Sequence, residues 1–166
     1  ELVALAAPTV QFCKQQHIPC IINDDAEAAA LLQADGVHVG QSDCSIQQAR
    51  AILGKSACIG VSAHNLEEAR MAQQGGADYI GCGAVFGSAT KQDATPLSRE
   101  TLRTICQGVS IPVVAIGGIT AQNVQQLAGS GIQGIAVVSA IFGQPDKTEA
   151  ARQMHQLANQ VCGGAQ

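Results

Sequence analysis

The side chains able to do chemistry sit in short polar or glycine-rich tips, each directly after an apolar run. These tips are Asn23-Asp24-Asp25, Gly40-Gln41-Ser42-Asp43, Ser62-Ala63-His64, Ser88-Ala89-Thr90-Lys91, Gly117-Gly118 and Val138-Ser139. Asp24 and Asp43 end consecutive runs, and two carboxylates converging there could hold Mg2+ together with oxygens of a phosphorylated ligand. Each acidic tip could equally be a helix N-cap, through Asp24 or Asp25 in one case and Asp43 in the other. Gly117-Gly118 and Ser139 offer backbone N–H groups at turns before helices, which is how a phosphate is bound without a basic patch. Ser88, Thr90 and Lys91 add two hydroxyls and a cation. His64 reads as a hydrogen-bonded residue at a strand end, His38 as a side chain packed inside a strand, and His17 and His155 as helix surface. No Ser-His-Asp or Cys-His constellation stands out, so a covalent nucleophile has no support.

The apolar runs cover residues 18–22, 36–40, 57–61, 78–82, 111–116 and 134–138. Each is nearly continuous in Val, Ile, Gly and Ala, as expected of parallel strands covered on both faces. Between them apolar residues recur at spacings of three and four, as in Leu66, Ala69, Met71 and Ala72, or Val124, Leu127 and Ala128. Asn65 with Glu68 and Asp146 with Glu149 have the spacing of capping boxes. A further helix precedes the first strand, so the chain reads α-(βα)6. Successive units are short except after Phe86, where roughly eleven extra residues mark a functional elaboration rather than a connector. The polar tips lie at strand ends and have no counterpart at strand starts. Ligands of α/β folds sit at the carboxyl ends of strands, and use of every tip favours a barrel over an open sheet with one crevice.

Composition narrows the class. With 46% apolar and 13% charged residues, the 166-residue chain is a globular domain with a sizeable core, and with only 2% aromatics that core is built from Ala, Val, Ile and Leu. The net charge of −4 and the absence of a basic run exclude a nucleic-acid partner. No stretch reaches the ~18 consecutive apolar residues of a membrane span. The seven cysteines are odd in number and contain no C-x-x-C pair, which fits reduced, buried thiols of a cytoplasmic protein.

Taken in order, I-I-N-D-D, G-V-H-V-G-Q-S-D, G-V-S-A-H, Y-I-G-C-G-A-V-F-G-S-A-T-K, V-V-A-I-G-G-I and A-V-V-S-A-I resemble the thiamine-phosphate synthase family across nearly the whole chain. The resemblance implies a (β/α)8 TIM barrel. It also implies a transferase that joins a pyrimidine methyl diphosphate to a thiazole phosphate, with Mg2+, and releases diphosphate. Carried over by position, Asp24 and Asp43 hold Mg2+, and Asn23, Ser62 and Lys91 hold the diphosphate. Ser88 and Thr90, with the backbone at Gly118, Val138 and Ser139, hold the thiazole phosphate. Lys91 and Ser62 are the residues expected to act on the leaving group. Asp25, Ala84, Gly87 and Ser88 depart from the residues usual in the family. The family's first two strand–helix units have no match here, so residues 1–166 are expected to form one barrel domain that lacks about two N-terminal βα units. Partners are then small phosphorylated molecules, with self-association left open. Two rival readings are a thiazole tautomerase, whose working histidine would align with Ala84, and a catalytically silent phosphate-binding barrel.

Overall fold

A computed structural model describes residues 1–87 and 96–162. Helix α1 (Leu2–Gln15) leads into β1 (Ile21–Asn23), and the alternation continues through α2 (Ala26–Leu32), β2 (Gly36–Val39), α3 (Ile46–Leu53), β3 (Cys58–Ala63), α4 (Leu66–Gly75) and β4 (Tyr79–Cys82). After the undescribed stretch come α5 (Arg99–Gly108), β5 (Val113–Ile116), a 3₁₀ turn (Val124–Leu127), β6 (Gly134–Ala136), α6 (Ser139–Phe142) and α7 (Lys147–Val161). All six strands are parallel and lie side by side in chain order. Each therefore pairs with its sequence neighbours, as in the wall of a (β/α)8 barrel, and β1 and β6 are the two edges of the sheet.

The pleat divides this wall into two chemically different faces, because successive side chains of a strand point to opposite sides. One face carries Ile22, Val37, Val39, Ile59, Val61, Ala63, Ile80, Cys82, Val113 and Ala115, all buried. They form one core with Ala29, Ala49, Ala69, Leu102 and Ile105 of the helices. Alanine at the helix positions lets each helix seat close to the sheet, which is how a core almost without aromatic rings fills its space. The other face carries Asn23, His38, Ser62, Tyr79 and Ile116, with Gly60 and Gly81 between them. That is the barrel-interior face.

Local signals set the helix starts. Asp25 caps α2 by accepting the Ala28 N–H at 2.8 Å, and Ser45 and Gln48 form a reciprocal capping box on α3. The boxes expected at Asn65 and Asp146 are formed by half. Each N-cap oxygen accepts the N–H three residues on, but Glu68 accepts from His64 and the Asn65 side-chain amide rather than the Asn65 backbone N–H, and Glu149 pairs with Arg152. The first strand begins at Ile21 rather than residue 18, because His17 is left-handed at φ 55° and the Ile18 N–H still bonds the Cys13 carbonyl of α1. Val124, Leu127 and Ala128, spaced as for an α-helix, give only the 3₁₀ turn.

At the amino ends of the strands, Arg50 ties α3 to two strands. It donates to Asp78 at 2.9 Å and to the carbonyls of Lys55, Ala57 and Gly76, while Asp78 accepts the Ile59 N–H at 2.7 Å. This network holds the frame at the end away from the polar tips. Among the described residues no helix is long and apolar enough to cross a membrane. All seven cysteines are free thiols, Cys82 fully buried and the others half-buried.

Candidate active site

The site begins at the tip of β1. Asn23 ends the strand level with His38 of β2 and is exposed. Asp24 then takes the left-handed conformation at φ 68°, which aspartate tolerates better than most residues, and its N–H donates to the His38 carbonyl at 2.7 Å. The chain turns sharply there, so that Asp25, one residue on, reaches the N-cap of α2 and Asp24 does not. Asp43 is likewise not a cap. Its Oδ2 accepts the Gly40 N–H at 2.7 Å within its own loop, while Ser45 takes the cap of α3. A side chain at position 40 would crowd that carboxylate, since an added Cβ would lie 3.0 Å from Oδ2. Both acidic residues predicted for a metal are therefore exposed at the carboxyl ends of adjacent strands and spared from capping.

Next comes a chain of polar groups across the interior face. Ser62 Oγ of β3 lies 3.0 Å from His38 Nε2, and His38 Nδ1 lies 3.0 Å from the Tyr79 hydroxyl of β4. The imidazole thus bridges three adjacent strands instead of simply packing inside one. Gly60 and Gly81 make room for it. An added Cβ at Gly60 would fall 2.1 Å from the Tyr79 ring, and one at Gly81 would fall 2.8 Å from the imidazole. Burial pushes the Tyr79 phenol up to about 12, so the group stays a neutral hydroxyl. Gln41 donates to the Ser62 carbonyl at 2.6 Å and joins the β2 tip to the β3 tip.

The β4 and β5 tips meet at the glycine pair. Val85 and Phe86 continue the pairing past the strand ends, donating to the carbonyls of Ile116 and Gly117 at 3.0 and 3.1 Å. Gly118 has φ 64°, and an added Cβ would lie 2.6 Å from the Gly87 carbonyl oxygen, so glycine is required on both counts. Asn123 fixes the turn by donating to the Gly118 carbonyl at 2.9 Å and accepting the Thr120 N–H at 2.8 Å. Val138 is exposed, and Ser139 opens α6. Among the described residues, the N–H groups of Gly118 and Ser139 have no hydrogen-bond partner.

Ser88, Thr90 and Lys91 lie outside the described residues. His64 hydrogen-bonds Glu68 at 3.0 Å, as a bystander would. Among the described residues no group of three or more His, Cys, Asp or Glu side chains could hold an ion. The carboxylates present fit a cation whose shell is completed by ligand oxygens and water, as Mg2+ prefers, rather than a cation caged by protein. A concavity of about 360 Å3 is lined by Asp24, Asp25, Ala26, Glu27, Cys44 and Ile52. A larger one, between Arg99, Glu100, Arg103 and residues 128–130, touches none of the predicted site residues.

A family model described as thiamine monophosphate synthase matches residues 1–141. The chain belongs to that family. A thiamine-phosphate synthase of Ruminiclostridium cellulolyticum is 51% identical over 141 residues, covering 85% of this chain and 67% of the relative. One of Methanobrevibacter smithii is 48% identical over 138 residues, covering 83% and 66%. Among solved structures, a thiamine phosphate pyrophosphorylase from Pyrococcus furiosus superposes with a TM-score of 0.88 at 35% identity, over 97% of this chain and 77% of that one. The chain thus spans about two thirds of the length of the curated relatives it matches.

The sequence reading placed the tips at one end of the sheet, where the structure puts Asn23, Asp24, Asp43, Ser62, Gly118 and Ser139. Tyr79 is not among the residues expected from the sequence, Gln41 stands there only as a member of its tip, and His38, expected to pack inside its strand, bridges to two others. A signal was available: in register, Gly60 lies between His38 and Tyr79 of its two neighbouring strands, and Gly81 lies beside Ser62. Glycines beside large side chains on one face mark groups that cross the sheet.

Proposed function

We propose that the protein is a thiamine-phosphate synthase, joining hydroxymethylpyrimidine diphosphate to a thiazole phosphate to give thiamine phosphate and diphosphate. The observation that carries this reading is that Asp24 and Asp43 stand exposed at the carboxyl ends of adjacent strands, while Asp25 and Ser45 serve as the helix caps. Membership of the family supplies the substrate class.

The methylene C–O bond breaks and its electron pair leaves on the diphosphate; the pyrimidine stabilises the resulting cation, and the thiazole nitrogen forms the new C–N bond. No protein nucleophile is needed. Lys91 places a cation, Ser62 a hydroxyl and Asn23 an amide toward the departing diphosphate, where negative charge grows. Gly118 and Ser139 offer backbone N–H groups, and Ser88 and Thr90 hydroxyls, to the thiazole phosphate beside Val138. Fixing both phosphates orients the two reactants. Asp24 and Asp43 would hold Mg2+, which when bound supplies positive charge against the diphosphate oxygens.

Two more strands between the edges of β6 and β1 would complete the eight of a barrel, and the reading applies to the protein in that closed form. Ala84, buried against the glycine pair, supplies no imidazole for a tautomerase. Diphosphate release decides between enzyme and silent barrel. Release that requires both substrates and Mg2+ supports the transferase, whereas binding of both phosphates without release leaves a silent barrel.

A further inference from the structure

The His38 bridge has two possible proton arrangements, and they leave Ser62 with opposite chemistry. A neutral imidazole donates from one nitrogen and accepts at the other. If Nδ1 carries the proton, it donates to Tyr79, Ser62 donates to Nε2, and Ser62 faces the interior with lone pairs only. If Nε2 carries it, Tyr79 donates to Nδ1, Nε2 donates to Ser62 Oγ, and the Ser62 proton is left for a ligand.

We infer that His38 is a positioning residue held as the Nε2–H tautomer by Tyr79, and that it thereby fixes Ser62 as a hydroxyl donor toward an anionic group in the barrel interior. The distances of 3.0 Å on both sides of the ring establish two hydrogen bonds, and the chemistry of the two partners sets their direction. A phenol is a stronger acid than an aliphatic alcohol and so the better donor, while the aliphatic hydroxyl oxygen is the better acceptor; both preferences favour Nε2–H. Burial keeps the phenol protonated and able to donate. Gly60 and Gly81 leave the space that the two rings occupy, because side chains there would displace them. The Gln41 hydrogen bond to the Ser62 carbonyl fixes the backbone from which Oγ projects.

The catalytic consequence rests on the transferase reading above, but the proton's position does not. Nitrogen-15 NMR of the full chain, labelled at histidine and measured above the imidazole titration, reads the tautomer directly. The His38 signals are those that disappear in His38→Gln. A protonated Nε2 with a bare Nδ1 is expected in the wild type, and a mixture in Tyr79→Phe. A proton on Nδ1 of the wild type would overturn the inference, whatever the activity.

In steady-state assays of the same chain, His38→Asn, which keeps a polar atom near the Nδ1 position only, should lower kcat about three- to tenfold. His38→Gln, which restores a donor near the Nε2 position, should recover much of that loss. His38→Asn should cost nothing more once Ser62 is alanine. Losses that simply add would show that His38 does not act through Ser62 and would also overturn the inference. A protein that holds the proton on Nε2 yet makes no thiamine phosphate would refute the transferase reading and leave the tautomer assignment intact.

Discussion

Asp25 caps α2 and its neighbour Asp24 does not, and single substitutions separate the two. Asp25 accepts an N–H of α2, so Asp25→Ala should cost about 1 kcal/mol of stability, read as a lower denaturation midpoint, with the Mg2+ requirement unchanged. Asp24→Asn and Asp43→Asn keep the size and an acceptor oxygen but remove a charge. Both should raise the Mg2+ concentration for half-maximal rate at least ~10-fold, since Mg2+ is usually bound through only one or two protein carboxylates. An unchanged Mg2+ profile in both variants would remove the two residues from the metal site. At this scale the sequence could name the acidic candidates but could not say which residues cap the helices. The choice depends on the left-handed turn at Asp24 and on Ser45 taking the cap of α3, which are backbone events that residue type alone does not dictate.

The strands were legible because burial on both faces writes them as unbroken Val, Ile, Gly and Ala runs, and all six are present with ends shifted by a few residues. The segment after β5 was less so. Gly129 and Gly131, both at positive φ, end any helix begun at Val124, so helical spacing survives there without a full helix. The interior face was also hard to read, because an isolated histidine in a strand looks the same whether it packs or bridges. Two substitutions test the roles given to the elements. Ile80→Ala removes a fully buried side chain from the sheet–helix core and should destabilise by about 2–5 kcal/mol. A loss much smaller than that would mean the face is not the core. Gly118→Ala meets both a positive φ and the Gly87 carbonyl. It should weaken thiazole phosphate binding in calorimetry while the Mg2+ requirement stays put, since the two sites lie on different tips.

For the whole molecule, acid–base behaviour follows from groups buried in neutral form. Burial raises the Cys82 thiol from 9.0 to about 12, the Cys106 thiol to about 11 and the Tyr79 phenol from 10.0 to about 12. Between pH 9 and 12 the unfolded chain releases these protons before the folded one does, so stability present below pH 9 should decline steadily across that window. Thermal unfolding at stepped pH would show it, and Cys82→Ala should flatten the decline. The division between the two ends of the sheet is the larger inference. The Arg50–Asp78 network at the amino ends holds the frame, so Arg50→Met should lower Tm without changing kcat/KM. The chemistry proposed for the carboxyl ends is that of a transferase site in which a cation stabilises the leaving diphosphate and no side chain is a nucleophile. The most direct test is mass-detected thiamine phosphate from the full-length protein given both phosphorylated substrates and Mg2+, with Lys91→Ala alongside. The expected result is product from the wild type and a kcat lower by ~100-fold or more in the variant at equal folded fraction. No product from a folded wild type, or an undiminished rate in Lys91→Ala, would contradict it.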